Sequence, residues 1–408
     1  MCSALFFYNP MRLLKNSKSF AAASFLTEVF MGNLINIYLD NASTSYPKAV
    51  GLGKVTAEFI DGCGGNFGRN AAYDIENIVS EARKRVSELF HAPEYYVTVF
   101  TSGATSAINM LLRGLLVRGD HVVTSSMEHH AVMRTLFDLR NNAGIDFTAV
   151  RGDSEGNISA ADIESAINDR TKLIIVTHAS NVCGTILPIE EISDIAKKHN
   201  VYFAVDSAQT AGILDIKADT ADFIAFAGHK GLMGPQGIGG FTAKCGLAER
   251  LRATVTGGTG SYSHLYTMPD SVPDKFEAGT LNLPGIAGIN HSLKYISEKG
   301  IENICRHEEK MTEILLEGLK KLPVKLAGHK DTEGRVGVVS FAAPYSDNGV
   351  LSDRLTEMGV IHRYGLHCAA AAHETLGTLK TGTIRLSPGY FTAEDDIRQT
   401  LEILDFLI

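Results

Sequence analysis

Seven short apolar runs between residues 95 and 242 constrain the fold of this chain more than any other feature. They are rich in β-branched and aromatic side chains, and most are separated by segments long enough to form a helix. The runs cover residues 95–100, 121–124, 147–150, 173–177, 201–205, 223–227 and 237–242. Near-continuous apolar strands that alternate with helices are typical of a largely parallel sheet covered on both faces. We therefore predict an α/β fold with a mainly parallel, seven-stranded sheet.

The sequence pattern changes after Gly279. A long helical pattern covers residues 285–321, and a closing helix is predicted from Thr392. Shorter extended segments lie at residues 336–341, 360–364 and 383–387. This part of the chain indicates a smaller α+β domain, and the cleft between two domains is where a ligand is expected.

The large domain is predicted to cover residues 51–274, and the small domain residues 34–50 and 275–408. Residues 1–33 are interpreted as an N-terminal extension that is either disordered or the result of a mis-assigned start, with the natural start at Met31. The alternative for the extension is a transit peptide, because part of it combines basic residues with serines. It lacks the clean amphipathic repeat of such peptides, so we favour the mis-assigned start.

The composition narrows the classes of function. The chain has 408 residues, of which 45% are hydrophobic and 21% charged, as in a soluble protein with a large core. Its formal net charge of −8 argues against a nucleic-acid partner or an anionic membrane surface, since both require a basic face. The six cysteines are far apart and form no CxxC pair, so neither a disulfide framework nor a metal site is indicated. We predict a reducing, cytoplasmic compartment.

Lys230 and Asp206 are the central candidates for chemistry. Asp206 stands at the end of one predicted strand, and Lys230 closely follows the next. A lysine amine can form a Schiff base with the aldehyde of pyridoxal phosphate, while a carboxylate keeps the pyridine nitrogen protonated so that the ring accepts electrons. Each residue alone is more often a turn residue or a helix cap. The pair, together with the residues below, predicts a pyridoxal phosphate site.

The segment 101–105 is a candidate phosphate site, because it follows a predicted strand and precedes a helix predicted over residues 106–116. In a parallel sheet, ligands bind beyond the carboxyl ends of the strands. The backbone amides of Gly103 and Ala104 and the hydroxyl of Thr105 can hold a phosphate at the positive end of that helix. The alternative is an ordinary helix N-cap.

Four further polar residues follow or lie on predicted strands. His129 can stack on a planar ring and shuttle protons, and its alternative is a hydrogen-bonded structural histidine. Asn181 and Gln209 can donate to the phenolic oxygen of the cofactor, whereas loop amides more often bond to backbone. Arg385 can clamp a substrate carboxylate with two hydrogen bonds, and its alternative is a surface arginine.

Cys368 is a candidate nucleophile. It lies in a stretch rich in glycine and alanine, beside Arg363 and His367, whose charges would favour the thiolate. The alternative is a small buried hydrophobic residue. His362 and His373 raise the further alternative of a metal site, but their spacing fits no zinc pattern.

From about Ile37 to its C-terminus the chain resembles the class V aminotransferase fold, of fold-type I pyridoxal phosphate enzymes, and specifically the cysteine desulfurases and selenocysteine lyases. The matching blocks are residues 39–44, 101–105, 128–131, 180–185, 206–209, 228–230, 276–280 and 363–368. Their order and spacing together make the resemblance specific.

The resemblance implies that Lys230 is the Schiff-base lysine, Asp206 the partner of the pyridine nitrogen and His129 the ring-stacking acid/base. The other implied cofactor contacts are Gln209 at the phenolic oxygen, Asn181, Gly103, Ala104, Thr105 and His229, and Thr280 at the phosphate of a neighbouring subunit. On the substrate side it implies Arg385, Asn181, Arg363 and Asn41, with Cys368 as the persulfide carrier. The expected assembly is an obligate homodimer.

Some positions depart from the best-known members of this family. Ala227 stands where many relatives have serine, so one phosphate hydrogen bond is expected to be missing. Seventeen positions separate Cys368 from Arg385, which is similar to the short-loop group, whose cysteine is held rigidly and often needs a partner protein to collect the sulfur. Residues 369–374 are unlike those members, which leaves the identity of the acceptor open.

We expect a pyridoxal phosphate-dependent cysteine desulfurase that converts L-cysteine to L-alanine and leaves the sulfur on Cys368 as a persulfide. A sulfur-acceptor protein is its expected partner, and sulfur mobilisation such as iron–sulfur cluster assembly its expected role. The first alternative is a selenocysteine lyase acting on L-selenocysteine, or a class V aminotransferase. The second is a catalytically idle scaffold or sulfur-relay protein, against which Lys230 and Asp206 argue.

Overall fold

The computed structural model describes residues 36–63, 65 and 75–408. The predicted N-terminal extension, residues 1–33, lies outside the described residues, as does the start proposed at Met31.

The described residues form thirteen strands in three sheets. The strands are β1 (Ile37–Tyr38), β2 (Tyr96–Thr101), β3 (His121–Ser125), β4 (Asp146–Val150), β5 (Thr171–Thr177), β6 (Tyr202–Asp206), β7 (Phe223–Ala227), β8 (Gly239–Lys244), β9 (Lys325–Ala327), β10 (Val339–Ala342), β11 (Val360–Ile361), β12 (Arg363–Gly365) and β13 (Thr383–Leu386).

Twelve α-helices accompany these strands in the described part of the chain. They are α1 (Leu52–Gly62), α2 (Ile75–Leu89), α3 (Ala104–Leu115), α4 (His130–Ala143), α5 (Ala160–Ser165), α6 (Ile189–His199), α7 (Cys245–Arg250), α8 (Leu283–Lys299), α9 (Ile301–Leu319), α10 (Asn348–Glu357), α11 (Ala370–Thr375) and α12 (Glu394–Leu407). Of these helices, none that the structure describes is long and apolar enough to cross a membrane.

The large sheet has seven strands in the order β2-β8-β7-β6-β5-β3-β4, and each corresponds to one of the seven predicted runs. Strand β8 pairs antiparallel with β2 and with β7, and the other pairings are parallel. The predicted α/β fold with a mainly parallel seven-stranded sheet is therefore confirmed.

Both faces of the large sheet are covered, which explains why its strands are apolar without alternation. Ile174 and Ile175 are neighbours in β5 and point to opposite faces, yet they are 0% and 1% exposed. Ile174 belongs to the core on one side of the sheet and Ile175 to the core on the other. A strand buried on both faces in this way has no solvent-facing positions for polar residues.

The C-terminal part of the chain forms a smaller antiparallel sheet, in the order β12-β13-β10-β9, that packs with α9 and α12 around a separate core. Strand β1, near the beginning of the described chain, pairs in parallel with β11. The prediction of one long helix over residues 285–321 is wrong in one respect, because the structure has two helices there, α8 and α9, separated by Gly300. Gly300 has a φ of 80°, a left-handed conformation that favours glycine and ends a helix.

Candidate active site

A cavity of about 190 Å³ lies at the carboxyl ends of the strands of the large sheet. Among its lining residues are nine of the predicted cofactor contacts: Gly103, Ala104, Thr105, His129, Asn181, Asp206, Gln209, His229 and Lys230. Parallel strands end at the same edge of a sheet, so residues far apart in sequence converge there. Ala227, at the position where many relatives have serine, also lines the cavity.

Asp206 and Lys230 are groups of opposite charge that line the same cavity. Asp206 is the last residue of β6, and its Oδ1 accepts a hydrogen bond from the amide of Ala208 at 3.0 Å. Burial raises the pKa of Asp206, while the backbone amide and Lys230 act in the opposite direction. Burial lowers the pKa of Lys230 to about 8, and Asp206 partly offsets that change. About a tenth of the Lys230 amine is therefore uncharged, and so nucleophilic, at pH 7, far more than for an ordinary lysine.

The N-terminus of α3 offers donors for an anion. This helix begins at Ala104, two residues earlier than predicted, and Gly103 precedes it with no side-chain cap among the described residues. The first amides of an α-helix lack partners within the helix and lie at its positive end. The buried Nδ1 of His229, which also lines the cavity, has no hydrogen-bond partner in the described part of the chain. The cavity therefore presents unsatisfied polar atoms from two segments of the chain.

His129 precedes α4, and its side chain caps that helix. Its Nδ1 accepts a hydrogen bond from the amide of Ala131 at 3.0 Å, so the proton of the neutral ring is on Nε2. Burial, with a further contribution from Lys230, lowers the pKa of His129 to about 4. At neutral pH the ring is therefore an uncharged donor through Nε2.

The side-chain amides of Asn181 and Gln209 already have partners in the protein. Gln209 Nε2 donates to the carbonyl oxygen of Ala42 at 3.1 Å, and Asn181 Nδ2 donates to the carbonyl oxygen of His367 at 2.6 Å. An amide nitrogen carries two N–H groups, so each residue retains one donor for a ligand.

Arg385 is 2% exposed, so the alternative of a surface arginine is wrong. Its Nη2 lies 2.8 Å from Asp40 Oδ1 and donates to Ser43 Oγ at 2.7 Å. Its Nη1 donates to the carbonyl oxygen of Asn181 at 2.9 Å, and its buried Nε has no partner among the described residues. The guanidinium is thus held by groups from two parts of the chain, and one of them, Asn181, lines the cavity.

The two other predicted substrate residues lie near Arg385. Arg363 is exposed, and its Nη1 donates to Ser43 Oγ at 3.2 Å. Asn41 donates to the carbonyl oxygen of Ser387 at 3.0 Å and, with Lys230, lines a second and smaller cavity of about 30 Å³. Thr280, by contrast, is exposed and lies apart from the lining residues, so the role predicted for it depends on a second subunit.

Cys368 is exposed, in a left-handed conformation with a φ of 58°, and the buried-hydrophobe alternative does not hold. Its charge acts on Lys230 and on Arg385, raising the pKa of each, which places the thiol in the electrostatic range of both. The prediction that His367 carries a positive charge is wrong. That ring is 4% exposed, and burial lowers its pKa to about 2, so it is neutral and does not favour the thiolate.

Sequence reasoning missed three residues around this site. Asp40 and Ser43 hold Arg385, and they belong to the block at residues 39–44 that carries the resemblance. Lys48 Nζ donates to the carbonyl oxygen of His229 at 2.9 Å, and burial lowers the pKa of Lys48 to about 8. No pattern in the sequence marks Lys48, because its contact with His229 spans 181 positions.

The chain is similar to known proteins over most of its length. Residues 37–400 match the family model described as Aminotransferase class-V. A relative named probable cysteine desulfurase, from Methanothermobacter thermautotrophicus, is 34% identical over 383 residues, or 91% of this chain and 94% of that protein. A relative from Clostridium botulinum named cysteine desulfurase IscS is 30% identical over 91% of this chain and 94% of that protein.

Solved structures of cysteine desulfurases are also similar to this chain. The apo structure of a cysteine desulfurase from Thermococcus onnurineus NA1 superposes with a TM-score of 0.84 at 31% identity, covering 91% of this chain and 94% of that one. The cysteine desulfurase CsdA from Escherichia coli shares the fold, with a TM-score of 0.82 at 24% identity over 98% of each chain. Because the family model covers most of the chain and relatives are at least 30% identical to it, the chain belongs to the class-V aminotransferase family.

Proposed function

We propose that this protein is a pyridoxal phosphate-dependent cysteine desulfurase that converts L-cysteine to L-alanine and transfers the sulfur to Cys368. One observation carries the proposal: Lys230, Asp206 and Asn181 line one cavity, and Asn181 Nδ2 donates to the carbonyl oxygen of His367, the residue before the exposed Cys368. The names of the relatives support the same activity.

The residues present fit this cofactor. The amides of Gly103 to Thr105 and the unpartnered Nδ1 of His229 would hold its phosphate, Asp206 would hold its pyridine nitrogen, and His129 would lie against its ring. The amine of Lys230 would bond covalently to the aldehyde carbon of the cofactor. When bound, pyridoxal phosphate supplies an electron sink for bonds at the α and β carbons of an amino acid.

The substrate carboxylate would bind beside the guanidinium of Arg385, which is fixed before substrate arrives. Lys230 would then take the proton from Cα, which its lowered pKa permits, since a neutral amine is the base. Burial raises the pKa of Asp206, and the Ala208 amide and Lys230 oppose that change; its carboxylate would hold a proton on the pyridine nitrogen. These two residues would therefore move and hold the protons that the reaction requires.

Cys368, as the thiolate, would attack the sulfur of the substrate. A new sulfur–sulfur bond forms, the Cβ–sulfur bond breaks, and its electron pair remains with Cβ. Protonation of Cβ, and return of the proton from Lys230 to Cα, would then give alanine. The proton of the substrate thiol stays on the persulfide or passes through His129, whose neutral ring lies at the cavity. Sulfur therefore leaves the substrate as a protein-bound persulfide, ready for a thiol of an acceptor protein, without a free sulfide.

We further propose a homodimer. Tyr262, Leu265 and Tyr266 are large apolar residues exposed on the segment near Thr280, and Gly279 is hydrogen bonded to Gly258 in that segment at 2.8 Å. An exposed apolar cluster of this kind is typical of a protein–protein interface. It would bring Thr280 to the phosphate of the partner subunit. We also propose a cytoplasmic location, since an unpaired, exposed Cys368 requires reducing conditions.

Product analysis tests the proposed function. Holoenzyme is incubated with L-cysteine, and alanine, pyruvate and other keto acids are quantified. We expect alanine from wild type and none from Lys230→Ala, with Lys84→Ala, at an exposed lysine, as the matched control that retains activity. A keto acid as the main product would instead identify an aminotransferase, and activity with L-selenocysteine alone would identify a selenocysteine lyase.

A further inference from the structure

The loop that carries Cys368, here called the cysteine loop (residues 366–369), has an uncommon backbone. His367 and Cys368 have φ angles of 47° and 58°, so two successive non-glycine residues are left-handed. This conformation brings Cβ close to the backbone and is rarely adopted by such residues. The surrounding structure must therefore hold the loop in place.

Two hydrogen bonds fix the backbone of the cysteine loop from the side of the large sheet. Asn181 Nδ2 donates to the carbonyl oxygen of His367 at 2.6 Å, and the amide of His130 donates to the carbonyl oxygen of Cys368 at 2.8 Å. The His130 amide is in the first turn of α4, where an amide has no intrahelical acceptor, so Cys368 provides its partner.

A third contact fixes the loop from the smaller sheet. The ring of His367 is buried, and its Nε2 lies 2.9 Å from Thr383 Oγ1 at the start of β13. The ring of His373 packs beside it, with 5.4 Å between the ring centroids. Since the His367 ring is neutral, it can hold the backbone of Cys368 in place but does not stabilise the thiolate by charge.

The same elements hold Arg385. Thr383 and Arg385 are two residues apart on β13, and Arg385 Nη1 donates to the carbonyl oxygen of Asn181. A continuous set of contacts therefore joins Arg385, Asn181, His367 and Thr383. This group of contacts connects the guanidinium of Arg385 to the backbone of the cysteine loop.

We infer that His367 is a positioning residue for sulfur transfer: its bond to Thr383 keeps the cysteine loop in the left-handed conformation that aims Cys368 at substrate bound by Arg385. The inference rests on the proposed function. It separates two roles in the site. Arg385 would determine how tightly the substrate binds, whereas His367 would determine how well the thiol of Cys368 is aligned with the bound substrate.

The test uses Thr383→Val in the holoenzyme, with Thr383→Ser as the matched control that keeps the hydroxyl. We expect Thr383→Val to lower kcat for alanine formation by about 10-fold or more and to change KM by less than about 2-fold, because misplacing a reacting group affects turnover more than binding. Thr383→Ser should retain most of kcat. His367→Leu, which removes the other partner of the same bond, should match Thr383→Val, and the absorbance of bound cofactor reports that each variant is folded.

Hydrogen exchange at the amide of His130 gives a readout that is independent of turnover. Release of the loop removes the acceptor of this amide, so its exchange should accelerate at least about 10-fold in Thr383→Val and in His367→Leu, and stay slow in Thr383→Ser. Unchanged kcat or unchanged protection of His130 in both of the first two variants would overturn the inference. If wild type forms no alanine at all, the proposed function fails, and the exchange measurement alone decides whether His367 holds the loop.

Discussion

The carboxylate of Asp40 forms a partly buried ion pair with the guanidinium of Arg385, with 2.8 Å between Asp40 Oδ1 and Arg385 Nη2. The two residues are 345 positions apart, and their contact connects the segment after β1 to β13. Asp40 neutralises part of the charge of Arg385 before any substrate binds, and Ser43 supports both residues by bonding to each.

Asp40→Asn should destabilise the protein, because it leaves the buried guanidinium without a charged partner. We expect a loss of roughly 1 to 3 kcal/mol in the free energy of unfolding, below the value of about 3 to 5 kcal/mol for a fully buried pair, since Asp40 retains some exposure. Urea unfolding of the apoprotein measures it. Asp347→Asn, which changes a carboxylate that caps α10 and accepts from the amides of Gly349 and Val350, serves as the comparison. Equal stability of Asp40→Asn and wild type would show that the pair has no net effect.

The amine of Lys230 should titrate near pH 8 in the apoprotein. Burial lowers the pKa of this lysine from 10.5 to about 8, so its neutral and reactive fraction should reach half its maximum near that pH. Competitive acetylation, with the peptide that contains Lys230 quantified by mass spectrometry, measures the titration. A reactivity that continues to increase tenfold per pH unit between pH 9 and pH 10 would contradict the assigned environment.

Much of the fold and of the cavity was predictable from the sequence for one physical reason. Strands buried on both faces are visible as apolar runs, and a residue that follows such a run lies at the common carboxyl edge. Asp206, His129 and Lys230 could be grouped in this way without knowing which strands are neighbours.

The contacts between distant segments were not predictable. The hydrogen bond between Asn181 and the cysteine loop spans 186 positions, and it depends on how the two sheets pack. The neutral state of His367 has the same origin, since its burial is a tertiary property and the sequence suggested a charge. The division of one predicted helix at Gly300 depends on a single left-handed residue. The predicted role of Thr280 involves a second subunit.

Glu308 should make the stability of the protein depend on pH. This carboxyl group is buried, accepts a hydrogen bond from the amide of Tyr390, and has its pKa raised by burial from 4.5 to about 8. Because the folded state holds the proton more tightly than the unfolded state, the contribution of Glu308 is complete below about pH 4.5 and is lost as the pH rises through about 8.

Glu308→Gln removes this titration while keeping the size of the side chain. Relative to wild type, we expect the variant to be more stable at pH 9 than at pH 5, as measured by urea midpoints at both pH values. Glu309→Gln, in the next position of α9, is the control and should show no such difference. A difference between Glu308→Gln and wild type that stays constant from pH 5 to pH 9 would show that the carboxyl titrates normally.

Asp206→Asn should retain bound pyridoxal phosphate but lose most turnover. An amide can still occupy the place of the carboxylate, but it carries no charge to hold a proton on the pyridine nitrogen. We expect kcat to fall by about 100-fold or more, measured as alanine formed from L-cysteine, with the cofactor content checked by absorbance. Turnover near that of wild type would place the electron-withdrawing role elsewhere.

The central claim is that Cys368 takes the sulfur from the substrate. The most direct measurement incubates holoenzyme with L-cysteine, quantifies alanine, and maps persulfide by alkylation and mass spectrometry in wild type, Cys368→Ala and the control Cys245→Ala. We expect persulfide on Cys368 in wild type and in Cys245→Ala, and neither persulfide nor alanine in Cys368→Ala, although its cofactor absorbance still responds to substrate. Undiminished alanine from Cys368→Ala, or persulfide found only on another cysteine, would contradict the account.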